Sequence, residues 1–208
     1  MAPSPGHPVS RGDAVALGVI ATGAVSVAVG AVVAIVGGAL SVFADEPQVR
    51  LPLQRADIPQ LDGVAGIVDA RGAAADVVLA APPAGARWLL LLEGALPALA
   101  TIGVCVVAYV LALALMRGRP FRRMISTALG AIAGLVLVGG IASQACGAFG
   151  RALVVEDLAA RTPELMDILW PFLLDLDLAP IGWGFILALV AAAFAIGSRI
   201  QRDTEGLV

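Results

Sequence analysis

No lysine occurs anywhere in the 208 residues; all 13 basic side chains are Arg. A phosphate-cradling P-loop is therefore excluded, because its Gly-rich turn works with a Lys that reaches the phosphates. A net charge of −3 also lacks the Lys/Arg-rich footprint of a nucleic-acid binder, so direct DNA or RNA contact is not expected. His7 is the lone histidine and stands in a Pro-rich N-terminal tail, which leaves His-based catalysis and His-built metal sites without residues. Aromatic residues make up 5% of the chain and offer few stacking surfaces, and a dinucleotide motif would need a soluble strand–turn–helix context. Neither a cofactor nor a metal is expected. Charged residues are scarce too, at 14% against about 25% in soluble domains.

What is present in quantity is apolar bulk. Hydrophobic residues make up 60% and mean hydropathy is +0.95, which places the chain among membrane proteins. A span of the hydrocarbon core needs about 20 mostly apolar residues, and four segments qualify: 14–43, 88–116 with Glu93 inside it, 124–149 and 178–198. The first run follows Arg11 and ends near Val42-Phe43-Ala44, as a signal peptide might, but it is about twice the usual signal-peptide core and is read as a retained span. The remaining parts are a tail 1–13, a loop 44–87, an Arg-rich turn 117–123, a segment 150–177 and a tail 199–208. The expected architecture is an all-α membrane protein, a four-transmembrane-helix bundle with a small extracytoplasmic cap.

Arginine placement sets direction. Arg117, Arg119, Arg122 and Arg123 crowd the turn between the second and third spans, which should face the cytoplasm. The 44–87 and 150–177 segments are richer in acids than in Arg and should lie outside. Both termini are then cytoplasmic, in a multi-pass protein of the cell (plasma) membrane. Trp88, Trp170 and Trp183 all fall near expected outer boundaries, as an interfacial aromatic belt requires.

The 44–87 loop is too long for a plain connector. Val49 to Leu53 alternates, Asp76 to Ala80 reads as a short strand before Pro82-Pro83, and Gly63 to Val68 is mildly apolar, so a small β-containing cap is expected. It is either a packed lid or a recognition surface. In the second outer segment Thr162-Pro163-Glu164 fits a helix start, and Leu165, Ile168, Leu169, Phe172 and Leu173 recur at helical spacing, which predicts an amphipathic interfacial helix, lying at the membrane surface or folded onto the cap.

Glu93 is the one acid within an expected span, and such residues are functional candidates by default. Counting along antiparallel helices puts Gln144 at nearly the same depth, with Ser143 and Cys146 nearby. A Glu93 to Gln144 hydrogen bond, a reach to the headgroups, a pair with Arg87, or a role in proton coupling or substrate binding are all open. Pro97 removes the donor that would meet the Glu93 carbonyl, and a kink there would open a small outward cavity. Cys105 and Cys146 fall at different depths and are expected to be unbridged, buried thiols. Gly130 and Gly134 form a GxxxG unit suited to close helix packing within the chain, or to dimerisation; the same small-residue spacing recurs at Gly30 and Ala34. The four clustered Arg can contact anionic lipid or a partner.

The Gly118-Arg119-Pro120-Phe121 turn, the long loop after the first span and the ending Phe194 to Val208 together resemble the DUF2975 family of small bacterial membrane proteins, whose members show a G-x-P-F turn and an F-x-x-G-x-x-L-x-x-[DE] type ending. Ile200 departs from the usual Leu. The resemblance covers most of the chain and implies four helices in a membrane. It brings no catalytic residues, and it implies a cytosolic helix-turn-helix regulator as partner. The expected function is a non-enzymatic envelope sensor or partner protein. A small transporter or channel subunit using Glu93 is the alternative, and an enzyme ranks last because Glu93 has no visible catalytic companion.

Overall fold

The structure, a computed structural model, describes residues 11–57, 71–116 and 123–205. It is mostly helical. In chain order α1 (Arg11–Val42), strands β1 (Gln48–Asp57) and β2 (Arg71–Val78), α2 (Ala84–Met116), α3 (Arg123–Arg161), a 3-10 turn (Pro163–Asp167) and α4 (Ala179–Glu205) follow one another. Four of the helices contain stretches long and apolar enough to cross a membrane: 14–42, 84–116, 127–161 and 179–197. Their outward faces suit lipid and not water. Leu40, Phe185 and Leu189 are each about 70% exposed (71%, 66% and 72%). Leaving such a side chain in water forgoes roughly 1.5–3 kcal/mol relative to burial, a penalty repeated along every helix here. A multi-pass membrane protein follows from that pattern.

The chain divides into two compact units: 1–34, 96–141 and 177–208 form one, and 35–95 with 142–176 the other. In the first, Leu129 and Ala191 are buried against Val107, Leu111 and Ala114. Gly140 lies against the ring of Pro180 and Gly184 against Leu137, so α3 and α4 meet at glycines. Asp177 caps α4, its Oδ1 accepting from the Ala179 amide at 2.9 Å.

These glycines replace the pair expected from sequence. Among the described residues, no atom of another element lies within 4 Å of where a Cβ would stand on Gly130 or Gly134, so the GxxxG unit makes no close contact there. A GxxxG spacing shows which residues share a helix face, and it leaves open which face meets a neighbour.

The second unit holds the cap. β1 and β2 pair antiparallel, Gln48 opposite Val78 and Leu51 opposite Ala75, with the register shifting between Pro52 and Ala56. The two short strands expected from Val49 and Asp76 onward are therefore present, longer in β1 and earlier in β2; Gly63 to Val68 lie outside the described residues. Val49, Leu51 and Leu79 bury against Ala86 of α2 and Val154 and Val155 of α3. Ala81, in the link to α2, takes a φ of 58°, a left-handed conformation that Gly holds without strain. α2 then begins at Ala84, earlier than Trp88, with the Arg87 amide donating to the Pro83 carbonyl at 3.2 Å.

Two boundaries in this unit differ from expectation. α3 does not stop at Phe149 but continues to Arg161, because Val154, Val155 and Ala159 bury on one side while Arg161 and Asp157 pair at 2.7 Å on the other. The interfacial helix expected over Leu165 to Leu173 is reduced to the 3-10 turn, which does follow Thr162 and start at Pro163. Its continuation is taken by β1. The Gln54 amide donates to the Ile168 carbonyl at 2.7 Å and the Trp170 amide to the Pro52 carbonyl at 3.1 Å. The Gln54 side chain adds bonds to the carbonyls of Met166 and Leu169, each 3.1 Å. A strand edge with open backbone groups satisfies this segment better than a solitary helical turn would.

Candidate functional site

The carboxylate of Glu93 is held by Arg151, whose Nη1 donates to Oε1 at 2.8 Å and to Oε2 at 3.0 Å. Arg151 sits on the part of α3 that sequence reading left outside the third span. Arg87 is engaged elsewhere, its Nη1 donating to the Ala44 carbonyl at 3.1 Å. Trp88, the next residue, meets Phe43 edge-on with ring centroids 5.0 Å apart.

The pair fits because of a glycine. A Cβ at Gly147 would overlap the Glu93 carboxylate, and one at Gly150 would crowd Leu89 and Leu90 at 3.1–3.2 Å. Gln144, Gly147 and Arg151 are spaced by three and then four residues, which places them on one face of α3. That face meets Glu93. Sequence reasoning found Glu93 and Gln144 but not Arg151 or Gly147; following the helical period on from Gln144 would have found Gly147, and continuing it past the first charge would have found Arg151.

Around the pair opens a cleft of about 490 Å³, lined by Arg50 and Pro52 of β1, Ala73 and Ala74 of β2, Glu93, Gln144 and Arg151, and Leu173 and Asp175 from the segment before α4. Glu93 and Gln144 both line this cleft. Ser143 is buried beside them in sequence, and Cys105 and Cys146 are both free thiols. Side chains of Arg151 and Glu93 keep 24% and 36% exposure, so the pair is open to the cleft. Its stabilisation belongs with solvent-touched ion pairs, about 0.2–1 kcal/mol. In a double-mutant cycle read by thermal unfolding, Glu93→Gln and Arg151→Gln should couple by about this amount. Additive effects of the two changes would disprove the pairing.

Pro97 lies within α2, and the hydroxyl of Thr101 donates to its carbonyl at 2.9 Å. Arg117, Arg119 and Arg122 lie outside the described residues, and Arg123 opens α3. Compared with protein-family models, with curated proteins and with solved structures, the chain has no match.

Proposed function

We propose that this is a non-enzymatic envelope sensor or partner protein of the plasma membrane, with both termini in the cytoplasm and the cap outside, relaying to a cytosolic partner. The observation that carries the reading is the Glu93–Arg151 pair. It ties α2 to α3, and these two helices end at Met116 and begin at Arg123, on either side of the Arg-rich turn. A ligand or stress that alters the pair acts on both helices that bracket that turn. Orientation is supported by the Arg density of 117–123 against the acid-rich cap segments. The resemblance to DUF2975 supports a cytosolic helix-turn-helix regulator as the partner.

The test is capture of partners by the full chain from native membranes. Changing Arg122 and Arg123 together to Ala should remove a cytosolic partner while the protein stays inserted and folded. An unchanged partner set would defeat the relay. Solute or proton flux in liposomes that Glu93→Gln abolishes would assign a small transporter or channel subunit instead.

A further inference from the structure

The cleft beneath the cap is charged in an unusual way for so apolar a chain. Two guanidiniums, Arg50 and Arg151, and two carboxylates, Glu93 and Asp175, line it together. Their formal charges cancel, yet they are not used up on one another. Both bonds between Arg151 and Glu93 employ a single nitrogen, Nη1. A guanidinium carries five N–H donors and a carboxylate about four acceptor positions, so each partner keeps capacity toward the cleft. Arg50 and Asp175 are exposed at its rim.

This arrangement disfavours ligands of one sign. An anion drawn to the two Arg meets two carboxylates, and a cation drawn to the carboxylates meets two guanidiniums; like-charge juxtaposition is a strong means of rejection. A ligand bearing both signs satisfies both sets. We propose that the cleft binds a small zwitterion, its oxyanion held by Arg50 and Arg151 and its ammonium group by Asp175 and Glu93. Pro52 and Leu173 supply apolar wall for the carbon between those ends. At about 490 Å³ the space suits a small molecule or one lipid headgroup. Free amino acids and short peptides share this chemistry with ethanolamine phospholipid headgroups.

Titration calorimetry on the full chain in uncharged maltoside micelles tests the assignment. The probes are alanylalanine for the free source and glycerophosphoethanolamine for the headgroup source, with glycerol 3-phosphate and ethanolamine as single-sign controls. At least one zwitterion should bind at least about tenfold more tightly than either control, a difference of roughly 1.4 kcal/mol. Which zwitterion binds tells the source. Arg50→Ala and Asp175→Ala change exposed rim residues, should leave the melting temperature unchanged, and should each weaken binding about tenfold. Failure of both zwitterions to bind, equal binding of a control, or undiminished binding by both rim variants overturns the proposal. The inference does not depend on the relay: the titration contains no cytosolic partner, and partner capture contains no added ligand, so either can fail alone.

Discussion

Leu51→Ala is expected to detach the cap from the helices beneath it, at a loss of about 2–5 kcal/mol, the range for emptying a fully buried Leu site. Leu51 is 0% exposed, and the residues around it include Val154 and Val155 at 1% each. A two-stranded sheet is marginal by itself in water, so β1 and β2 depend on the cluster they share with Ala86 of α2 and Val154 and Val155 of α3. The measurement is limited proteolysis of the 44–83 region alongside thermal unfolding. The variant should be cut in the cap at temperatures where the wild type resists, while remaining in the membrane fraction, because lipid and not the cap retains the helices. Unchanged protease resistance would show that the cap is anchored by something other than this cluster.

The second large effect is expected from a single methyl group. In Gly140→Ala the new Cβ overlaps Cβ of Pro180 and stands 3.3 Å from its Cγ. A proline ring cannot rotate away, so the first turn of α4 must shift, at a cost of about 1–3 kcal/mol typical of overpacking. Gly130→Ala and Gly134→Ala are the controls. Open space surrounds both positions, and Ala is favoured over Gly inside a helix by roughly 0.5–1 kcal/mol, so these variants should match or exceed the wild type. Thermal unfolding of the three in one detergent separates the outcomes. Equal melting temperatures for Gly140→Ala and Gly134→Ala would refute the α3–α4 contact described here.

The contrast between these glycines shows where sequence reading stops. Gly130 and Gly134 satisfy a spacing rule, yet Gly140, Gly147, Gly150 and Gly184 are the positions where other atoms come close. Spacing shows which residues share a face; it does not say what that face meets. Glu93 shows the same limit from the other direction. Its cost in an apolar run marked it as worth pursuing, and helix counting brought it near Gln144, but counting did not reach Arg151, with which Glu93 forms its ion pair. That partner was hidden because the first charge after an apolar run was taken to end the helix, whereas buried Val154 and Val155 carry α3 on to Arg161. Leu165 to Leu173 kept a helical period and still did not form a helix, since the edge of β1 offered hydrogen bonds that the period does not register.

The amino-acid order alone determined that four long apolar helices exist and that short strands lie between the first and second. Both follow from hydrophobic length and local alternation, which accumulate along the chain and need no partner. Only the tertiary structure decided which glycines admit a neighbour, which arginine holds Glu93 and which backbone completes β1. Those outcomes depend on atoms distant in sequence competing for the same space and the same hydrogen bonds.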